Sequence, residues 1–182
     1  MLTGEHLAID LVNTRSSTPD GEHDVLASAQ EFEGWLAAES DRLVPPKAPL
    51  TMPELAAVRE LRRHIETAID DVRHGRNVSA GVLEAINDAA QRAPSFVQLT
   101  LKDGKPTAGT ARAGNELDKI VAQLAEAAVS LLADPKAGTI RTCEGPGCRM
   151  IFLPAHPRRR WCSPELCGNR VRVARYYQRH KG

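Results

Sequence analysis

The chain has 182 residues, with 24 Lys+Arg against 23 Asp+Glu, 42% hydrophobic residues and 26% charged ones. This composition excludes a disordered or fibrous chain, and no run of ~18 apolar residues is present to cross a membrane. The net charge of +1 conceals a division: residues 1–135 carry 13 basic and 21 acidic side chains, a net −8, whereas residues 136–182 carry 11 and 2, a net +9. The start of the chain is acidic and lacks the basic and long apolar stretches of a secretory leader, so the expected setting is the cytoplasm, with no membrane partner.

Residues 6–14 fit two periods. Leu7, Ile9 and Leu11 alternate as in a strand, while Leu7 and Leu11 also share a helix face. Residues 14–24 are polar, contain Pro19 and Gly21, and read as a loop. A short helix is predicted over 28–38, with Ser28 as N-cap, Glu31 three residues on, and Phe32, Trp35 and Leu36 on its apolar face. Three prolines within 43–49 require extended chain. Thr51 and Glu54 form a capping box that opens a longer helix with Leu55, Val58, Leu61, Ile65 and Ile69 inside, ending near His74 and Gly75. A further helix is predicted over 79–92 with Val82, Leu83 and Ile86 inside. The period then changes to two over 96–101, and Asp103-Gly104 marks a hairpin turn returning through 106–111. The clearest helix covers 115–133, with Leu117, Val121, Leu124, Ala128 and Leu131 on one stripe. Asp134-Pro135 ends it, and 136–138 reads as a linker.

All four cysteines lie in the basic segment, at 143, 148, 162 and 167. Two short-spaced pairs separated by a loop deliver four thiolates to one tetrahedral zinc, and a segment this small needs a metal or staple in place of a large core. Disulfides are the weaker explanation without a secretion signal. His156 lies between the pairs as a competing ligand. Residues 139–143 and 150–153 are β-prone and flank the turn Gly145-Pro146-Gly147. Ser163-Pro164-Glu165 starts a helix running to about 180, placing Cys162 just before it and Cys167 in its first turn. The expected fold class is therefore α+β: a helix-rich domain over 1–135 with one β-hairpin, and a treble-clef-like zinc finger over 139–182.

Arg172, Arg175 and Arg179 fall on one face of that last helix, and Arg158, Arg159 and Arg160 precede it. Val171, Ala174 and Tyr177 lie on the other side and are expected to pack. Four thiolates and one Zn²⁺ contribute −2, so one or two arginines would neutralise the cluster. Nine arginines exceed that need and favour a polyanion such as DNA. Asn169 and Arg170, beside a metal ligand, admit two readings. They read bases or phosphate, or they bond the finger's own backbone and offset the cluster charge.

At Cys143 to Cys148, HPRRRWCS (156–163) and CGNR (167–170), the segment resembles the CGNR zinc-finger family. LAIDLVNTR (7–15), DVLASAQEFEGWL (24–36) and, more weakly, the helix around Arg59 are similar to that family's usual partner, the ABATE domain. The resemblance covers nearly the whole chain. It implies a stress-responsive bacterial transcription regulator, with one structural zinc on Cys143, Cys148, Cys162 and Cys167 and DNA bound by the finger. It also implies an N-terminal domain that senses an unidentified small-molecule effector. Asp10, Asn13, Arg15 and Arg59, with Thr14 and His64 nearby, are candidates to line that pocket, while capping and satisfaction of buried polar groups explain the same residues. An enzyme is not expected, because no second metal site, general base or phosphate loop accompanies the cysteines. The alternative function is a zinc-scaffolded protein-interaction module that does not bind DNA. The sequence leaves the oligomeric state open.

Overall fold

The computed structural model describes residues 3–18 and 21–180. Helix α1 (Leu7–Val12) resolves the ambiguous first segment, with all six of its residues buried. A helix enclosed on every side buries all its faces, here apolar but for Asp10, so its sequence carries no helical stripe and its alternation is incidental. The His6 imidazole caps it by accepting from the Ala8 N–H at 3.4 Å.

The segment expected as a loop is instead a hairpin, β1 (Arg15–Thr18) and β2 (Gly21–Asp24), antiparallel with Arg15 opposite Asp24. Its strands carry almost no apolar side chains, so no period marked them. The hairpin is fixed at its base from outside: Arg62 donates to Thr14 Oγ1 at 2.8 Å and to both Asp24 carboxylate oxygens at 2.6 and 2.7 Å.

Helix α2 (Ala29–Ala38) begins where expected, with Ser28 Oγ accepting from the Glu31 N–H. Phe32 and Trp35 stack at 5.6 Å and are buried in the core. Residues 43–49 are irregular. Helix α3 (Met52–Arg73) carries the Thr51–Glu54 capping box and buries Leu55, Val58, Leu61, Ile65 and Ile69. Helices α4 (Ala80–Gln91) and α5 (Glu116–Ala133) pack against α3 and against each other, and α1 lies against α3 and α5. Leu83 was expected inside α4 but is 44% exposed. The packed stripe runs through Val82, Ile86, Ala89 and Ala90, and Leu83 lies at its margin.

Strands β3 (Ser95–Lys102) and β4 (Lys105–Arg112) form the expected hairpin, turning through Asp103 and Gly104, both at positive φ. Every residue of β3 is exposed, so Val97, Leu99 and Leu101 belong to no core. Arg112 ties the base, donating to the Ala93 carbonyl at 2.8 Å and pairing with Glu126.

The expected linker at 136–138 runs into a packed 3₁₀ turn, Ala137–Thr139, with Ala137 buried and Gly138 close to the Val72 carbonyl. Short strands β5 (Arg141–Thr142) and β6 (Ile151–Phe152) pair antiparallel. Ile140 and Ile151 join the core of the helical body, whereas Cys143, Met150, Phe152 and Cys167 form a second, smaller cluster. A π-helical turn, Pro164–Gly168, leads into α6 (Asn169–His180). Val171 is buried against the finger, but Ala174 is exposed and Tyr177 is 60% exposed, contrary to the expected packing. Beyond the first turn, the side facing away from the arginines is exposed at Val173, Ala174 and Tyr177. Among the described residues, no helix is long and apolar enough to cross a membrane.

Candidate metal centre and the surfaces around it

The two β strands and the π turn bring the four sulfurs together. The Sγ atoms of Cys143, Cys148, Cys162 and Cys167 all lie within 4.8 Å of one another. Cys148 and Cys162 sulfurs are 3.9 Å apart, and those of Cys162 and Cys167 3.6 Å. Four sulfurs at ~2.3 Å from one zinc would be separated by about 3.8 Å, so the donor set fits a single tetrahedral ion. Backbone N–H groups of Gly145 and Cys162 point at Cys143 Sγ at 3.4 and 3.3 Å. Arg170 donates to Cys167 Sγ at 3.4 Å. These donors stabilise thiolate, the ligand form of cysteine.

Without a cation the thiols cannot ionise independently. The hydrogen bond from Cys162 holds the Cys148 thiol down to about 5. That same bond, with burial and the Cys148 charge, pushes Cys162 far up, and burial pushes Cys167 up to about 11. One negative charge in the cluster blocks the next, and a divalent cation removes the block. His156 is exposed and accepts from the Arg158 N–H at 3.1 Å, outside the four-sulfur group.

The sequence-selected arginines divide. Arg159 faces inward: it donates to the Trp161 and Cys162 carbonyls at 3.1 and 2.7 Å, pairs with Glu5 at 2.5 Å and lies 4.4 Å over the Phe152 ring. Arg160 pairs with Glu144 and lies over Trp161, half exposed. Arg172 donates to Asn169 Oδ1, which fixes that amide on its own helix. Arg158 and Arg179 are exposed and carry no ion pair among the described residues. The Arg175 side chain lies outside the described residues.

The four proposed effector residues do not share one site: Arg15 and Arg59 line a shallow pocket of about 360 Å³ with Arg62 and Glu66, Asn13 lines a different cavity, and Asp10 lines neither. Asp10, almost fully buried, accepts from the Gly4 and Glu5 N–H groups at 2.9 and 3.2 Å and from Arg42 at 2.5 Å. Asn13 makes a two-way bond to β6: its amide donates to the Ile151 carbonyl and its oxygen accepts from the Ile151 N–H, both at 2.9 Å. Arg15 faces Glu66 at 3.5 Å, and Arg59 donates to the Leu26 carbonyl at 2.8 Å. Thr14 is held by Arg62, and His64 pairs with Glu60 at 3.1 Å.

What these contacts build is a clasp between body and finger. Glu5 holds both Arg159 and the Leu153 N–H, at 3.1 Å for the latter. Arg149 reaches Glu22 and Glu66 at 3.3 and 3.2 Å. Sequence reasoning missed Glu5, Glu22, Glu66 and Arg149. Their partners lie 83 to 154 positions away, and no local pattern marks such pairs.

With this geometry in view, two family models match the chain. The ABATE model, described as "Putative stress-induced transcription regulator", matches residues 5–135. The CGNR zinc finger model matches residues 139–180. No curated protein matches at significant similarity.

Proposed function

Because the chain belongs to the ABATE family and carries a CGNR zinc finger, we propose that it is a transcription regulator whose finger binds DNA only when zinc is in place. The carrying observation is the contrast between a closed metal centre and an open basic surface beside it. Four thiolates would fill a tetrahedral zinc shell and leave no position there for water or substrate, so the metal would be structural. Bound zinc supplies a fixed crosslink between the β5–β6 turn and the start of α6. Arg158, Arg170, Arg172 and Arg179 are exposed on that frame. They exceed what a cluster of charge −2 requires. Phosphate contacts from this surface would position the helix, while Asn169, held by Arg172, and Arg170, held by Cys167 Sγ, are left to the finger's own structure. Arg159 is left out of the contact set, because its donors hold the finger together. In this reading the division of labour falls at 1–135 and 139–182, and the protein acts in the bacterial cytoplasm, at the nucleoid.

Fluorescence anisotropy of labelled duplex DNA, titrated with zinc-loaded protein across a salt series, tests the reading. Neutralising about six phosphates predicts a log–log slope near −5. Arg172→Ala with Arg179→Ala should weaken binding and flatten the slope by about 2. Absence of binding at low salt, or binding indifferent to zinc, overturns it. A second reading rests on the exposed side of α6, where Val173, Tyr176 and Tyr177 are 53 to 60% exposed. A protein-interaction module would use that side, and would show a partner complex with weak salt dependence.

A further inference from the structure

A cavity of about 740 Å³ lies between the β1–β2 hairpin, α2 and the cysteine cluster. Its body wall includes Ser17, Val25 and Gly34, and its finger wall Met150, Leu166 and the zinc-ligand cysteines. The volume falls in the range of small-molecule sites, ~300–1,000 Å³. We infer that this cavity binds a neutral, predominantly apolar small molecule, and that its occupancy is coupled to retention of the metal. The site stands apart from the pocket residues chosen from sequence: of those four, only Asn13 lines it.

Gly34 is the first argument. It lies inside α2, where glycine is the poorest helix former after proline. Its φ is not positive, and a Cβ built on it meets nothing within 4 Å. Neither backbone nor packing therefore requires glycine there. Gly34 is exposed at the edge of the cavity, and a side chain placed there has room to extend over its opening.

The apolar part of the lining is the second argument, and it selects the ligand class. Among the lining side chains, Glu31 lies 3.4 Å from the His23 ring and Arg170 lies 3.4 Å from Cys167 Sγ. A charged ligand would lose its hydration against the apolar part of the wall. An apolar molecule against Val25, Met150 and Leu166 gains from burial instead. Cys148, Cys162 and Cys167 all line the cavity. A bound molecule thus touches chain that positions three of the four metal ligands, and linkage makes the coupling reciprocal. Only the transmission to DNA rests on the regulator reading; the binding site and its coupling to the metal do not.

The test uses zinc-loaded full-length protein and the neutral fluorophore N-phenyl-1-naphthylamine. Wild type should bind saturably at one site. Gly34→Leu should weaken binding at least tenfold while zinc content and melting temperature are retained, because the new side chain extends over the cavity opening. Leu166→Gln, on the opposite wall, should weaken it several-fold. Leu99→Ser, on the exposed β3–β4 hairpin, should leave it unchanged. The fluorophore should also slow zinc transfer to a competing chelator at least threefold in wild type and not in Gly34→Leu. Binding that never saturates, that survives both cavity variants, or that disappears with Leu99→Ser overturns the site. A zinc-transfer rate indifferent to the fluorophore overturns the coupling. No DNA enters these measurements, so their failure and the failure of DNA binding are separate results.

Discussion

Arg42 serves two buried carboxylates. Asp10 and Glu39 are each 1% exposed, and Arg42 bonds both, together with the Glu5 carbonyl. One guanidinium cannot fully compensate two anions, and the buried Glu39 Oε1 atom has no hydrogen-bond partner among the described residues. Burial accordingly pushes the Glu39 carboxyl above its usual range. Removing the cation should therefore cost far more than removing one anion: Arg42→Ala about 3–5 kcal/mol, Glu39→Gln close to zero or stabilising. Asp24 has the opposite sign. Burial pushes its carboxyl up, but the hydrogen bonds from Arg62 and the Leu26 N–H, with the Arg62 charge, hold it below the ordinary value. Its contribution is present above the unfolded value, near ~3.9, and is lost as pH falls through the depressed folded value. Glu39 stabilises only when protonated, so its contribution is lost as pH rises through its raised folded value. Urea unfolding at pH 7 and pH 2 separates them. Asp24→Asn should cost about 3 kcal/mol at pH 7, because it strands the buried Arg62, and much less at pH 2. Equal losses at both pH values would show that the ion pair is not what stabilises this hairpin. In the sequence, Asp10 and Asn13 stood out as polar residues within an apolar run, yet only the fold supplies their partners. Asp10 is wholly taken up by internal bonds, whereas Asn13 both bonds Ile151 and lines the cavity beside the cysteines.

Helices were legible because their signals are local. Ser28 and the Thr51–Glu54 box each cap an N-terminus as their spacing dictates. The zinc site was legible for the same reason: ligand spacing is a property of a few adjacent residues. Hairpins were not equally readable. Alternation reveals a strand but not whether anything covers its apolar face, and β3 shows the consequence. Val97, Leu99 and Leu101 share one face of the β3–β4 ribbon with Pro106, Ala108 and Thr110 opposite, and all three are at least 76% exposed. Leu99→Ser should therefore change stability by no more than about 0.5 kcal/mol. Ile65→Ala, fully buried on α3, should cost ~2–5 kcal/mol. Chemical denaturation of both variants makes the comparison, and a core-sized loss at Leu99 would mean that the ribbon is covered in solution. The β1–β2 hairpin failed in the other direction: with polar strands and a clamp from Arg62, its structure is set by a tertiary contact that leaves no trace in its own residues.

At the scale of the whole molecule, two cores of unequal size share a seam. The large one spans α1 to α5 and takes in Ile140 and Ile151, while the small one is built around Phe152 and the cysteines. The small core has too little apolar area to stand without its metal. The large core needs none of the cysteines. Chelation of zinc should therefore unfold the finger and α6 and leave the helices of the body intact. Hydrogen exchange should accelerate over residues 143–180, and far-UV circular dichroism should lose only the part due to α6. The seam sets how far the loss spreads. Asn13, the C-cap of α1, satisfies both backbone groups of Ile151. Asn13→Ala strands both groups, at ~1–3 kcal/mol each. It should loosen the finger and speed zinc transfer to a chelator, although it removes no ligand. Asn13→Asp separates geometry from polarity: it keeps the acceptor for the Ile151 N–H but sets a carboxylate against the carbonyl, so it too should release zinc faster. If chelation instead melts the entire chain in one transition, the two cores are a single cooperative unit. If both Asn13 variants hold zinc as wild type does, the seam carries no load between α1 and the metal centre, and the body cannot influence the finger by this route.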